Sequence, residues 1–167
     1  MANTCGQHRF DIVLELDAPI AVCYEVCYRE EHMAQWVPMH KSVVYDHAGA
    51  AEPYGPGSNR LVTVKSGATL REHIIETNKP DGMVYAIFTF GKPFDWLVHD
   101  YQGHIRFKAL SDDRTLLIWS IHYDCHGAGK ALAPLLQVAY KKLIGGMCRK
   151  IQQYIARLPS EAKLTAV

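Results

Sequence analysis

The chain has 167 residues, 49% of them hydrophobic and 21% charged, which is enough apolar material for one substantial core. Eighteen Lys and Arg stand against seventeen Asp and Glu, a formal net charge of +1. No basic run supplies the electrostatic footprint of a nucleic-acid binder, so nucleic acid is excluded as an expected partner. No apolar stretch approaches the roughly 18 to 20 residues of a membrane span, and Met1 to Arg9 lacks the charged-then-apolar layout of a signal peptide. The expectation is a cytoplasmic protein without a transmembrane segment, one domain over 1–167 with an ordered core from about 8 to 158.

The period-two alternation of His8 to Leu16, with Phe10, Ile12, Leu14 and Leu16 on one side, predicts a half-buried strand. Asp17 then reads as an N-cap and Pro19 as a first-turn residue of a helix to about Arg29. A second short helix covers Glu30 to Trp36 and is stopped by Val37-Pro38. Six strand-like runs follow: Val43 to Asp46, Asn59 to Lys65, Thr69 to Thr77, Met83 to Phe90, His99 to Leu110 and Thr115 to Asp124. Turn chemistry separates them, as at Lys79-Pro80-Asp81-Gly82 and Gly91-Lys92-Pro93. Runs that succeed one another without helices predict an antiparallel meander.

After Gly129 a long helical pattern reaches about Leu158, with an apolar stripe at Leu132, Leu136, Tyr140, Leu143, Met147, Ile151, Tyr154 and Leu158. Gly145-Gly146 interrupts it and implies a close neighbour or a bend. The layout is therefore α+β: a strongly curved antiparallel sheet of about seven strands wrapped around one long C-terminal helix, with two short helices after the first strand. A sheet bent around a single helix tends to leave a pocket at its wide end.

Cys5, Cys23, Cys27, Cys125 and Cys148 are an odd number without a C-x-x-C pair and are expected to be reduced thiols. Cys23 and Cys27 lie four apart on a helix, but no second ligand pair has metal spacing, so neither a metal nor a cofactor is expected. No Ser/His/Asp or Cys/His set, phosphate loop or dinucleotide fingerprint supports a hydrolase, kinase or nucleotide-dependent redox enzyme.

Asp17-Ala18-Pro19, Trp36-Val37-Pro38, Gly57-Ser58-Asn59-Arg60, Glu72, Tyr85, Gly91-x-Pro93, Tyr101-x-Gly103 and Trp119-Ser120 follow one another nearly end to end. In that order the chain resembles the START-like, helix-grip (SRPBCC) superfamily that includes Bet v 1-type proteins. Within it, the resemblance is to the bacterial polyketide cyclase/dehydrase and lipid transport family. It implies a helix-grip fold and a cavity for a hydrophobic ligand, while members differ widely in function.

Strand parity selects the residues that look inward. Leu117, Trp119, Ile121 and Tyr123 share one face, as do Tyr101, Gly103, Ile105 and Phe107, leaving Ser120, His104 and His122 on the other. Arg60 and Glu72 carry charge on apolar faces of neighbouring strands. They either pair structurally at a cavity rim or contact a polar group of a ligand. The expected ligand site comprises Arg60, Glu72, Tyr85, Tyr101, Trp119, Tyr123, Tyr140 and Met147, with Phe94 and Trp96 on a loop that forms a lid, touches a membrane or partner, or folds back onto the sheet.

Three functions fit. The leading one is binding of a hydrophobic or aromatic small molecule, lipid or polyketide-like. The second is a polyketide cyclase, aromatase or dehydratase with Glu72, Tyr85 or Tyr101 as proton carrier. The third is an interaction module without a cavity, and a homodimer is compatible with each.

Overall fold

Alternation along the first strand sets the architecture: Phe10 and Leu16 are buried while Arg9, Asp11, Val13 and Glu15 face out. The computed structural model describes residues 6–38, 40–90 and 94–159. β1 (His8–Leu16) leads into α1 (Ile20–Tyr28) and α2 (Glu30–Trp36), then β2 (His40–Asp46), β3 (Asn59–Val64), β4 (Thr69–Asn78) and β5 (Gly82–Thr89). A 3-10 turn at Phe94–Trp96 precedes β6 (Val98–Ser111), β7 (Arg114–Cys125) and α3 (Ala128–Arg157). The seven strands form one antiparallel sheet in the order β1-β7-β6-β5-β4-β3-β2. The first strand thus pairs with the last, from His8 opposite Tyr123 to Leu16 opposite Thr115.

Register shifts between Arg71 and Glu72, between Ile74 and Glu76, and between His99 and Gln102 bend this sheet. At the last of these, Asp100 has φ 49 and both Tyr101 and Gln102 turn into buried space. The concave side packs on α1, α2 and α3, which gives the curved helix-grip architecture expected from element order.

Three local expectations are corrected. The residue preceding α1 is Pro19, in an extended conformation and without a side-chain cap, so Asp17 is not the N-cap. Proline there supplies a fixed φ and needs no N–H. The buried face of α3 runs through Gly129, Ala133, Leu136, Tyr140, Ile144, Cys148, Ile151 and Ile155, whereas Leu132 and Leu143 are exposed. The cause lies at the helix start: a Cβ on Gly129 would stand 2.1 Å from the Leu97 carbonyl oxygen, so only a small residue fits that face. Gly145 and Gly146 have no such neighbour. A Cβ on either would meet nothing nearer than the Arg149 guanidinium, at 3.8 and 4.0 Å, and the helix runs through both without interruption.

Candidate functional site

Arg60 on β3 and Glu72 on β4 are direct cross-strand partners, and the Arg60 Nε–H donates to Glu72 Oε2. Both lie inside the molecule, 3% and 8% exposed, rather than at an open rim. Arg60 Nη1 also donates to the Tyr45 hydroxyl at 3.0 Å and touches Met33 Sδ at 3.1 Å. Its Cζ stands 5.7 Å from the centroid of the Tyr45 ring and 5.4 Å from that of Tyr85. Burial alone pushes the guanidinium pKa down, but the adjacent Glu72 carboxylate and the two tyrosines hold it above its ordinary value, so Arg60 stays charged.

Tyr85 links this pair to the centre of the sheet. Its hydroxyl accepts the Trp119 indole N–H at 3.1 Å, and Trp119 meets Trp36 of α2 edge to face at 6.3 Å. Opposite Tyr85 on β6 stands Gly103, where a Cβ would lie 2.2 Å from the Tyr85 ring. Absence of a side chain at that position is what lets the phenol lie across β6.

Tyr101, Tyr123 and Tyr140 form the second half of the site. Tyr140 descends from α3 between Tyr123 at 5.2 Å and Tyr101 at 5.8 Å, and Phe90 closes on Tyr101 at 5.1 Å. The Tyr123 and Tyr140 hydroxyls are buried and have no hydrogen-bond partner among the described residues. Burial raises the pKa of all four phenols. For Tyr123 the value reaches about 12, and the Glu72 charge adds to the rise at Tyr85. Each is a neutral O–H at physiological pH, a hydrogen-bond donor rather than a phenolate base.

Six of the expected residues, Arg60, Glu72, Tyr85, Tyr101, Trp119 and Tyr123, line the concave side, and Tyr140 faces them from α3. Met147 is only half-buried at the edge of the core, next to the fully enclosed Cys148. Phe94 and Trp96 are apart from this set, exposed on the 3-10 turn, and the preceding Gly91-Lys92-Pro93 lies outside the described residues. Tyr45 and Met33 were not anticipated; the pairing of β2 with β3 and the packing of α2 bring them to Arg60. His104 and His122 are on the outer face as parity requires, with rings 4.8 Å apart, while Ser120 between them is buried rather than exposed.

A hollow of about 300 Å³ lies where β4, β5 and β6 meet, lined by Glu76, Asn78, Val84, His104 and Arg106 among others and by no residue of α3. It is therefore distinct from the tyrosine cluster, whose rings pack against one another. Cys23, Cys27, Cys125 and Cys148 are free thiols. The described grouping that approaches metal spacing is His99, Asp100 and Asp124, with ligand atoms within 4.8 Å of one another. Asp124 already accepts the Gln7 N–H at 2.6 Å.

A bent seven-stranded antiparallel sheet gripping a long C-terminal helix, with a buried polar track along its concave side, defines a helix-grip, START-like protein. The chain belongs to the polyketide cyclase / dehydrase and lipid transport family, whose model matches residues 7–156. The fold is similar to that of the Zhui aromatase/cyclase from Streptomyces sp. R1128, at 13% identity and a TM-score of 0.72, covering 90% of this chain and 94% of that one. It is also similar to a START superfamily protein from Mycobacterium smegmatis, at 14% identity and TM-score 0.70 over 91% and 99% of the two chains. Norcoclaurine synthase from Thalictrum flavum, in complex with dopamine and hydroxybenzaldehyde, gives 15% identity and TM-score 0.68 over 92% and 88%. No curated protein matches the sequence. Family and fold fit a hydrophobic-ligand-binding or polyketide cyclase-like function.

Proposed function

We propose that the protein binds a hydrophobic, partly oxygenated small molecule between the concave face of its sheet and α3. The observation that carries this reading is the pair of Tyr123 and Tyr140 hydroxyls, both buried without partners among the described residues, on rings whose centroids are 5.2 Å apart. Buried hydroxyls in a closed core are nearly always hydrogen-bonded, and leaving one unmade costs about 1–3 kcal/mol. A ligand carbonyl, ether or hydroxyl oxygen entering among the tyrosines would accept both protons. Its apolar body would lie among Phe90, Tyr101 and Met147, side chains that must shift to admit it.

Arg60, Glu72, Tyr85 and Trp119 would fix the other end of the ligand. Tyr85 already accepts the indole N–H, so its own proton is the one directed to a ligand oxygen. Binding without turnover is favoured, because the Glu72 carboxylate is already engaged by Arg60. A cyclase or dehydratase using Glu72 as base would need that carboxylate released to take up a proton.

The test is calorimetric titration with fused-ring aromatic ketones and with fatty acids of increasing length, on the wild type and on Tyr123→Phe/Tyr140→Phe. The reading expects an oxygenated ligand to bind and the double variant to weaken it about thirtyfold, as two lost hydrogen bonds near 1 kcal/mol each imply. Absence of binding across both series, or binding indifferent to both hydroxyls, overturns it. Conversion of a bound ketone that Glu72→Gln abolishes would assign the cyclase function instead.

A further inference from the structure

The outward face of α3 has a composition unlike the rest of the surface. Between Ala128 and Arg157 the helix carries six cations, Lys130, Lys141, Lys142, Arg149, Lys150 and Arg157, and no Asp or Glu. Since the whole chain is only +1, the remainder is net negative and the positive charge is concentrated on this one element. Among the described residues none of the six enters a salt bridge. Lys141 instead extends over the Phe10 ring, at 5.8 Å.

The first turns of the same outward face are apolar. Leu135 and Val138 are 66% and 63% exposed, and Leu132 and Leu143 flank them, also in solvent. The 3-10 turn abuts this end of the helix: His126 Nε2 lies 3.2 Å from the Asp95 carbonyl oxygen, and the His126 N–H donates to the Leu97 carbonyl at 3.1 Å. Its Phe94 and Trp96 are 48% and 60% exposed near the start of α3. The outward face of α3 passes from an aliphatic end, through Lys142, to a cationic half with Arg149, Lys150 and Arg157.

We propose that this face docks on an anionic membrane surface, with Phe94, Trp96, Leu135 and Val138 entering the headgroup boundary and the α3 cations lying against lipid phosphates. Charge complementarity selects the occupant. A helix with cations but no carboxylates suits an anionic bilayer, and Trp, Phe and Leu beside it are the side chains that settle at the lipid interface. Docking is peripheral: no described helix is long and apolar enough to cross a membrane. It does not depend on the ligand reading, because none of these residues belongs to the tyrosine site.

The experiment is co-sedimentation of the full chain with phosphatidylcholine vesicles, with and without about 30% phosphatidylglycerol, at low ionic strength. Binding is expected to the anionic vesicles, at least tenfold weaker to the neutral ones, and to fall as salt rises to about 0.5 M. Arg149→Gln/Lys150→Gln should weaken it by roughly fivefold per cation removed. Leu135→Gln/Val138→Gln should weaken it at least tenfold, and the vesicle-induced blue shift of tryptophan emission should vanish in Trp96→Phe. Both double variants change exposed side chains, and their circular dichroism should match the wild type. Absence of binding to anionic vesicles overturns the proposal, as does binding that neither double variant weakens. A solution dimer that Leu135→Gln/Val138→Gln dissociates, without vesicle binding, would assign the patch to a second copy of the chain.

Discussion

Replacing Gly103 by alanine puts a methyl group into space that the Tyr85 side chain occupies. The new Cβ would stand 2.2 Å from Tyr85 Cζ and 2.4 Å from both Cε1 and the hydroxyl oxygen, well inside any van der Waals contact. Tyr85 cannot swing aside freely. It is 2% exposed, its hydroxyl holds the Trp119 N–H, and the Arg60 guanidinium packs over its ring. Overpacking of this kind costs about 1–3 kcal/mol, and losing the indole hydrogen bond adds about 1 kcal/mol. Gly103→Ala should therefore destabilise the protein by about 2–4 kcal/mol in urea unfolding followed by tryptophan fluorescence. In a Tyr85→Leu background the ring is gone, and the same substitution should cost less than about 1 kcal/mol, a coupling that a double-mutant cycle measures directly. A penalty below about 0.5 kcal/mol in the wild-type background, or equal penalties in both, would refute the argument that Gly103 exists to seat Tyr85.

The buried ion pair makes a second prediction. Arg60→Met or Glu72→Leu alone should cost about 3–5 kcal/mol in chemical denaturation, because each leaves an unpaired buried charge, whereas the double substitution should recover most of that loss. Acid sensitivity should arise on the outer face. His104 and His122 titrate below the usual 6.5, through burial first and then through the charges of His122 and Arg106 on His104 and of Arg9 on His122. Protons then bind the unfolded chain more tightly, so this contribution is complete above about 6.5 and is lost as pH falls through the lowered folded values. His104→Gln/His122→Gln should flatten the decline in thermal midpoint between about pH 7 and 5. Gly145→Ala and Gly146→Ala should each raise stability by about 0.5–1 kcal/mol in urea, since a Cβ there meets only the Arg149 guanidinium.

Strand faces were legible because the signal is local. Leu117, Trp119, Ile121 and Tyr123 share one face of β7 and all four are buried, whereas Leu116, Ile118 and His122 on the other face are only half-buried. Element order likewise carried the architecture, with α2 bounded at Glu30 and Trp36 as the helix signals and Val37-Pro38 predict. The phase of α3 was not legible. Apolar residues occur around most of the first turns, so a stripe through Leu132 reads as well as one through Ala133, and the Leu97 carbonyl that demands Gly129 comes from another element. For the same reason parity could place Arg60 and Glu72 on inward faces but could not supply Tyr45 and Met33, which arrive through a neighbouring strand and a packed helix. The solvent-facing leucines that misled the stripe are those of the cationic docking face.

The most direct test of the central claim, a hydrophobic ligand held among the tyrosines, is native mass spectrometry of freshly purified protein compared with Tyr123→Phe/Tyr140→Phe. The account predicts a discrete noncovalent adduct of small-molecule mass on the wild type, released by mild collisional activation and depleted in the double variant. A wild type that runs at its bare sequence mass when purified from lipid-rich cells and stays so after incubation with the aromatic ketones and fatty acids would contradict it. An adduct retained in full by the double variant would contradict it too.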